Sequence, residues 1–211
     1  MPNHRAVSAL ILAAGASRRM GDKNKLLMAW RGEPMVRQVA RKALASGARD
    51  VVVVTGYRSE TIKNALAGLP LRIVFNPNHG KGMGTSLARG IASLRPDTSA
   101  VLVCLADMPF VQVSTMNRLI GRYRSARGQS LCVPTHLGRA GNPVLLPMRH
   151  FAALRRLRAD SGARHLIRQA AELVEQVEVN DPGILRDIDD RKDWARTLKS
   201  AGGDQPILPD L

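Results

Sequence analysis

Aromatic residues and cysteines are scarce in this chain. Phe, Trp and Tyr make up 3% of its 211 residues, whereas proteins that bind single-stranded nucleic acid stack the bases on aromatic side chains set among basic ones. The two cysteines, Cys104 and Cys132, each lie in an apolar segment that reads as a strand. The sequence therefore indicates neither a disulfide framework nor a cysteine-based metal site. We expect both thiols to be small buried groups.

Long apolar runs are also missing. No run approaches the roughly 18 to 20 apolar residues that cross a bilayer. The apolar stretch near the N-terminus leads into a loop of small residues rather than a cleavage site. We therefore expect no membrane span, no signal peptide and a cytoplasmic location.

Acidic residues are fewer than basic ones: the chain has 17 Asp and Glu and 32 Lys and Arg, which give a formal net charge of +15. Such a charge attracts nucleic acid, anionic membranes and anionic small molecules alike. The basic residues are scattered and no nucleic-acid-binding module is visible, so we do not expect nucleic acid as a partner. The run Arg155, Arg156 and Arg158 fits a solvated helix face better, and the high charge is left without an explanation.

The chain alternates short apolar runs with amphipathic segments, and 45% hydrophobic residues can fill one substantial core. This alternation predicts a single Rossmann-like α/β domain, a mostly parallel sheet with helices on both faces. Strands are predicted at 6–12, 50–55, 71–75, 100–105, 131–135, 142–146 and 173–179. Helices are predicted at 33–46, 58–66, 85–94, 112–123, 148–157, 163–172 and 191–198.

We interpret residues 1–199 as one domain, followed by a loose tail at 200–211 that is rich in Gly, Pro and Asp. The first half, about 1–110, is expected to bind a nucleotide, and the second half, about 111–199, is expected to bind an acceptor. Ligands of such sheets gather at the carboxyl ends of the strands.

Residues 10–25 run from an apolar strand into a turn of small residues followed by four basic ones. Backbone amides in such a turn can form an anion-binding nest, and Arg19 and Lys25 add positive charge beside it. The stretch matches neither the dinucleotide fingerprint nor the P-loop. A tight strand-to-helix turn with solvated basic residues is the alternative reading.

Three features follow predicted strands and should meet at one rim of the sheet: the opening turn, the glycine-rich segment 76–84, and Asp107. A carboxylate beside a phosphate-binding turn is well placed for Mg²⁺, which takes oxygen ligands together with substrate phosphates. A cap on the following helix is the alternative role for Asp107.

The only dense acidic cluster is Asp187, Asp189 and Asp190. Alternation around Ile188 puts Asp187 and Asp189 on one side of an extended segment, while Asp190 fits the N-cap of the last helix. Asp189 is our candidate for a second metal ligand.

Lys25 ends the opening stretch just before an apolar run. An ammonium about 4 Å from a phosphate oxygen gains roughly 4 kcal/mol at an effective dielectric near 20, against about 1 kcal/mol in water. Enclosure would therefore let Lys25 stabilise charge in phosphoryl transfer.

Two further loops, 139–143 and 160–164, present Arg139 and Arg164 beside glycines and could receive an anionic second substrate, although ordinary turns would look similar. The histidines show no metal-binding spacing, and no catalytic triad can be read from the sequence.

These residues and their neighbours form motifs through which the chain resembles the nucleotidyltransferases of molybdenum cofactor maturation, and most closely the molybdenum cofactor cytidylyltransferases. The motifs occur in the family's order over nearly the whole chain. They are LAAGASRRMGDKNKLL at 12–27, VVTGY at 53–57, NPNHGKGMGTSL at 76–87, LADMPFV at 105–111, GNPVLL at 141–146, DSGARHLI at 160–167 and DIDDRKDW at 187–194.

The resemblance implies transfer of CMP from MgCTP to the phosphate of the molybdopterin-bound cofactor, with release of pyrophosphate and with a molybdoenzyme as a further partner. It assigns Lys25, Arg19 and Asp107 to catalysis, and Asp107 and Asp189 to Mg²⁺. The nucleotide-binding set that it implies is Leu12, Ala13, Ala14, Gly15, Arg19, Lys25, Thr55, Gly56, Asn76, Gly82 and Ser86. The acceptor-binding set is Arg139, Asn142 and Arg164.

Two details bear on the substrates. Guanylyltransferase relatives tend to carry glycines where this chain has Ala13 and Ala14, which favours CTP. The family often has a basic residue at the position of Ala140 and a histidine at that of Asn142, so the acceptor is less well defined. The alternatives are a guanylyltransferase, a sugar- or polyol-phosphate nucleotidyltransferase, or, in another class, a basic nucleic-acid-binding module or a cofactor-insertion chaperone.

Overall fold

The computed structural model describes residues 6–16, 24–157, 174–189 and 193–196. Within them ten strands and five α-helices alternate along the chain. The strands are β1 Val7–Ala13, β2 Ala29–Trp30, β3 Glu33–Pro34, β4 Asp50–Thr55, β5 Arg72–Phe75, β6 Ala100–Leu105, β7 Leu131–His136, β8 Arg139–Ala140, β9 Val144–Pro147 and β10 Val174–Glu178. The α-helices are α1 Met35–Leu44, α2 Ser59–Ala65, α3 Met83–Ala92, α4 Val113–Ser125 and α5 Phe151–Leu154.

Eight of the strands form one sheet in the order β10-β7-β9-β6-β1-β4-β5, with β8 paired to β7. β1 is parallel to both of its neighbours, β4 and β6, and β5 continues parallel to β4. β9 is inserted antiparallel between β6 and β7. The sheet is therefore mostly parallel, as the alternation predicted, and its parallel part contains every strand that leads to the predicted rim.

Side chains of β1 alternate between two cores, one on each face of the sheet. Val7, Ala9 and Ile11 join a cluster that α1, α2 and α4 cover. Leu10 joins the opposite cluster, which α3 and α5 cover. Both faces are buried, and this is why the parallel strands read as continuous apolar runs rather than alternating ones.

Several predicted boundaries differ from the structure. The helix predicted from residue 33 begins at Met35, because Arg31 and Gly32 adopt positive φ angles of 54° and 75° and turn the chain so that Glu33–Pro34 pairs with Ala29–Trp30. The helix predicted at 148–157 is a 3-10 turn, Met148–His150, followed by the short α5.

Other predictions fall partly or wholly outside the described residues. The helix predicted at 163–172 lies outside them, as does the tail 200–211. Of the last predicted helix, residues 193–196 are described and are helical. No helix of the described residues is long and apolar enough to cross a membrane.

Candidate active site

The carboxyl ends of β1, β4, β5 and β6 meet at one edge of the sheet. Short backbone hydrogen bonds continue past the strand ends: Ala106 N–H donates to the Leu12 carbonyl at 3.2 Å, and Asn76 N–H donates to the Thr55 carbonyl at 2.9 Å. The opening turn, the glycine-rich segment and Asp107 therefore follow neighbouring strands, as predicted, and share this rim.

Lys25 lies between two carboxylates at the rim. Its ammonium Nζ donates to Asp107 Oδ2 at 2.7 Å and to Asp189 Oδ1 at 2.8 Å. The sequence predicted a role for each of these three residues, and the structure brings all three into direct contact. The side chains of Lys25, Asp107 and Asp189 are 12%, 23% and 42% exposed, so the cluster is half-enclosed and open to solvent on the Asp189 side.

Local structure holds Lys25 in this position. It begins a 3-10 turn, Lys25–Leu27, whose N-cap Asn24 accepts a hydrogen bond from Leu26 N–H through its side-chain oxygen at 3.1 Å. Leu26 is buried in the core beneath the turn. A short polar cap and one buried apolar residue thus fix the backbone from which the lysine reaches the carboxylates.

Two opposing effects act on the Lys25 ammonium. Burial lowers the pKa of Lys25, while the charges and hydrogen bonds of Asp107 and Asp189 raise it, and the net result is a pKa above its ordinary 10.5. Lys25 therefore stays protonated throughout the neutral range and can act as a fixed positive charge.

Asp189 reaches the site because the extended segment around Ile188 is tied to the rim. Ile188 N–H donates to the Asp107 carbonyl at 3.0 Å, and its side chain is fully buried against Met28, Met35 and Trp194. The alternating Asp-Ile-Asp pattern was the signal for this arrangement, with the apolar residue inward and both carboxylates on the other side.

Asp193 is a residue that the sequence analysis missed. Its Oδ2 accepts a hydrogen bond from Asp189 N–H at 3.1 Å, and its Oδ1 lies 2.5 Å from Arg196 Nη2. Its position four residues after Asp189, at the start of the final helical segment, is the sequence signal that could have found it.

The donor set fits a divalent cation. Two carboxylate oxygens converge on a single positive charge, the Lys25 ammonium, and both carboxylates are open to solvent. Within the described ranges no group of three or more Asp, Glu, His or Cys side chains forms a metal cage. Two carboxylates completed by substrate phosphates is the arrangement that Mg²⁺ commonly takes.

Asp187 lies at the margin of this cluster. Partial burial raises the pKa of its carboxyl, the charges of Asp189 and Asp107 raise it further, and Lys25 opposes them. Asp187 is therefore electrostatically part of the same negative patch, in agreement with the prediction that it shares a side with Asp189.

The opening turn presents backbone rather than side chains. Ala13 and Ala14 are 1% and 5% exposed, whereas Gly15 is exposed and no atom of the described part of the chain lies within 4 Å of the position that its Cβ would take. Leu12 is half-buried at the end of β1. Arg19 lies outside the described residues.

The polar residues predicted to bind nucleotide around Asn76 are tied to one another. The Asn76 side chain, 2% exposed, donates to Thr85 Oγ1 at 2.9 Å and to Ser86 Oγ at 3.0 Å, and it accepts from Asn78 N–H at 3.0 Å. Gly82, with φ 111°, is the N-cap residue of α3 and lies in the chain between Asn78 and Thr85 of this network. Asn76 and Ser86 therefore shape the glycine-rich segment and position Gly82.

Thr55 and Gly56 also have structural partners. The Thr55 hydroxyl hydrogen-bonds the Ser59 hydroxyl at 2.8 Å. A Cβ at Gly56 would lie 2.5 Å from the Cβ of His79 and 2.8 Å from the carbonyl oxygen of Ala14. Only glycine fits here, because the glycine-rich segment and the opening turn close over it.

The predicted acceptor residues lie further along the sheet. Arg139 is exposed on the short strand β8, and Asn142 N–H donates to the Ile184 carbonyl at 3.0 Å. Ile184 belongs to a 3-10 turn, Pro182–Leu185, which buried Asp181 anchors by accepting from Gly183 N–H at 2.9 Å. Arg164 lies outside the described residues.

Neither thiol is placed for catalysis. Cys104 and Cys132 are 3% and 0% exposed, and burial raises the pKa of each to about 12. Both are neutral, buried groups, as their apolar strand context predicted.

Comparison with known proteins gives a consistent result. Residues 9–176 match the family described as the MobA-like NTP transferase domain. The chain is similar to nicotine blue oxidoreductase of Paenarthrobacter nicotinovorans, with 33% identity over 198 residues, which cover 91% of this chain and 96% of that protein. It is also similar to the molybdenum cofactor cytidylyltransferase of Escherichia coli K12, with 27% identity over 142 residues, which cover 67% and 70%.

Among solved structures, the fold is similar to that of Rv0371C of Mycobacterium tuberculosis H37Rv, crystallised in complex with manganese. The TM-score is 0.78 at 23% identity, and the match covers 92% of this chain and 99% of that one. At this identity the likeness establishes the fold.

Proposed function

Since the chain belongs to the MobA-like NTP transferase domain family, we propose that this nucleotidyltransferase moves CMP from MgCTP to the phosphate of a molybdopterin-type molybdenum cofactor and releases pyrophosphate. The observation that carries the proposal is the contact of Lys25 with Asp107 and Asp189 beside the opening turn. A protonated lysine and two solvent-accessible carboxylates at the rim of a parallel sheet suit the handling of a metal-bound triphosphate.

The chain's own residues would hold the nucleotide in two ways. Exposed backbone at Gly15 allows phosphates to approach the amides of the turn, and Lys25 and Arg19 supply positive charge. The glycine-rich segment, shaped by Asn76, would cover the nucleoside. The full proposed set is Leu12, Ala13, Ala14, Gly15, Arg19, Lys25, Thr55, Gly56, Asn76, Gly82 and Ser86.

The proposed reaction is a direct displacement. A phosphate oxygen of the acceptor attacks the α-phosphorus of CTP, the bond from that phosphorus to the β-phosphate oxygen breaks, and pyrophosphate leaves with the negative charge. Lys25, released from its carboxylates, would donate to the phosphate oxygens on which charge develops. No covalent enzyme intermediate is needed.

Asp107 and Asp189 would hold Mg²⁺, which supplies charge neutralisation on the phosphate oxygens when it is bound. The chain's contribution is to orient both carboxylates, through the Ile188 to Asp107 backbone bond and the Asp193 to Asp189 bond. Arg139, Asn142 and Arg164 are the proposed contacts for the acceptor.

CTP is proposed over GTP because Ala13 and Ala14 stand where guanylyltransferase relatives tend to carry glycines. The relative from Escherichia coli K12, named a molybdenum cofactor cytidylyltransferase, supports both the nucleotide and the acceptor. We propose the cytoplasm as the site of the reaction and a molybdoenzyme as the partner that receives the product.

The comparison with nicotine blue oxidoreductase favours a second reaction class, oxidation–reduction. The relative with 33% identity over 91% of this chain is named an oxidoreductase that acts on nicotine blue. Two-electron reduction of nicotine blue, with the electrons supplied by a hydride donor such as a reduced nicotinamide dinucleotide, is therefore the second candidate, and the test includes both compounds.

The test is a substrate panel with the purified protein. Each of CTP, GTP, ATP and UTP is incubated with Mg²⁺ and molybdenum cofactor, and pyrophosphate is measured. Parallel reactions contain a sugar phosphate as acceptor, and a further set contains nicotine blue with a reduced nicotinamide dinucleotide. We expect pyrophosphate and a cytidine dinucleotide product from CTP with molybdenum cofactor. Product from GTP alone would overturn the base assignment. Reduction of nicotine blue without pyrophosphate release under any condition would replace the transferase proposal.

A further inference from the structure

A cavity of about 970 Å³ lies between the segment that follows β5, the helix α3 and the residues that follow α5. None of its described lining residues belongs to the cluster of Lys25, Asp107 and Asp189. Four of the lining side chains are basic, and they come from three separate segments: Lys81, Arg89, Arg155 and Arg156. We refer to this region as the basic cavity.

Among the described residues, no acidic side chain neutralises the positive charge of the basic cavity. In the described part of the chain none of the four basic side chains forms an ion pair, and no Asp or Glu is among the described lining residues. Elsewhere on the surface the pattern differs, since Arg49 pairs with Asp97 and Arg122 pairs with Glu175. Four unpaired cations around one concavity repel one another and focus a positive potential into it.

One side of the basic cavity is rigidly built. Asn76, itself buried, joins the segment after β5 to the start of α3 through its bonds to Thr85 and Ser86. One turn further along α3, Arg89 Nε donates to the Phe75 carbonyl at 3.3 Å. These bonds keep Arg89 and the cavity wall in place before any ligand arrives, which reduces the ordering cost of binding.

The size and the chemistry of the basic cavity indicate a class of ligand. Its volume lies within the roughly 300 to 1,000 Å³ that is usual for small-molecule sites. Arginine guanidinium groups match phosphate oxygens with paired donors, which is why they are favoured over lysines where phosphate is recognised. No aromatic residue is among the described lining residues, so nothing there offers a stacking surface for single-stranded nucleic acid.

We infer that the basic cavity binds a small molecule that carries several phosphate groups, at a site that adjoins the proposed nucleotide site through Asn76 but contains none of Lys25, Asp107 and Asp189. Arg155 and Arg156 supply the charge on one wall, and Lys81 and Arg89 supply it on the other. This site gives a local role to part of the chain's net charge of +15.

The test is calorimetric titration of the full-length protein with inorganic tripolyphosphate in the presence of EDTA, so that no divalent metal complex forms at the rim. The double variant Arg155→Gln/Arg156→Gln is compared with Arg118→Gln/Arg127→Gln, which removes the same charge from exposed positions outside the cavity. We expect the cavity variant to bind at least about tenfold more weakly than wild type, and the control variant to stay within about twofold. Lys25→Met is titrated alongside to report whether tripolyphosphate binds at the rim instead of in the cavity.

Circular dichroism and thermal melting establish that each variant is folded. An equal loss in both double variants would mean general attraction to a basic surface and would overturn the inference. Loss of binding in Lys25→Met would place the probe at the rim and would also overturn it, as would failure of wild type to bind. Tighter binding of a single-stranded oligonucleotide, lost in the same cavity variant, would replace the small molecule with nucleic acid.

Discussion

Lys25 occupies the position in which a metal ion would meet the same two carboxylates. In the structure its ammonium holds Asp107 and Asp189 together at 2.7 and 2.8 Å. Two negative charges this close need a cation between them, and the lysine provides one in the absence of nucleotide. The residue therefore has two roles in our account, as counter-ion before binding and as a phosphate ligand afterwards.

This double role makes an unusual prediction for Lys25→Met. Removing the competing ammonium should tighten Mn²⁺ binding to the nucleotide-free protein by about tenfold, while pyrophosphate release falls by about 100-fold because the phosphate charge is no longer stabilised. Mn²⁺ binding can be followed by electron paramagnetic resonance and turnover by pyrophosphate release. Lys63→Met, which removes an exposed lysine that pairs with Glu60 at the surface, is the control. Weaker Mn²⁺ binding in Lys25→Met would contradict the competition.

Asp193 positions Asp189 through the backbone and touches no substrate in our account. Asp193→Ala removes the acceptor for Asp189 N–H, so we expect the apparent affinity for Mn²⁺ to fall by about tenfold with the fold intact. Asp193→Asn keeps an acceptor oxygen and should recover most of that affinity. An Mn²⁺ titration that is unchanged in Asp193→Ala would show that the bond does not position the ligand.

Sequence reasoning found the three site residues one at a time but not their contact. Asp107 was predicted from its place after a strand, and Lys25 from its place at the end of the opening stretch. Lys25 is 82 positions from Asp107 and 164 positions from Asp189 along the chain, and no local sequence pattern indicates that these residues meet. The bond from Ile188 to Asp107 that aligns the last segment is likewise long-range, and only the folded chain reveals it.

At the scale of helices and strands, the close approach of α3 to the sheet depends on a glycine. A Cβ at Gly90 would lie 2.5 Å from Cδ1 of fully buried Leu10 and 3.0 Å from Cγ2 of Val54. Helix α3 begins at the glycine-rich segment, so its distance from β1 also sets the position of that segment over the rim.

The comparison of two helical glycines tests this packing. Gly90→Ala should lower the free energy of unfolding by about 1 to 3 kcal/mol, because the added methyl group displaces Leu10. Gly121→Ala, in α4, meets no atom of the described residues within 4 Å and should leave stability unchanged or raise it by about 0.5 to 1 kcal/mol. Urea denaturation measures both. Equal effects in the two variants would mean that α3 can move away from β1 at no cost.

The strands β1, β4 and β6, which lead to the rim, could be predicted because they are buried on both faces and read as apolar runs. The antiparallel insertion of β9 between β6 and β7 could not be predicted, since it depends on pairing between strands that are distant in the sequence. The two-residue strands β2 and β3 are too short to leave a periodic pattern. Tight turns and long-range pairings thus account for most of the differences between prediction and structure.

For the whole molecule, the two cysteines report on the integrity of one core, since both lie in the cluster that α1, α2 and α4 cover. Burial raises the pKa of Cys104 and of Cys132 to about 12 from an ordinary 9.0. In the folded state they keep their protons over that range, so the stability they contribute is complete below about pH 9 and declines as the pH rises toward 12.

At about pH 8, native protein should therefore resist alkylation by iodoacetamide, and both thiols should react once urea unfolds the chain. Mass spectrometry counts the modified residues. Rapid labelling of Cys104 in the native protein would show that the sheet opens far more readily than its buried strands imply.

The central claim is that Lys25, Asp107 and Asp189 form a metal-dependent nucleotidyl-transfer centre. The most direct measurement is the single-turnover rate of pyrophosphate release from MgCTP and molybdenum cofactor, in wild type and in Asp107→Asn, with CTP binding measured on the same samples. The account predicts that Asp107→Asn lowers the rate by about 100-fold or more, with CTP binding largely retained. An unchanged rate in Asp107→Asn with normal CTP binding would contradict it.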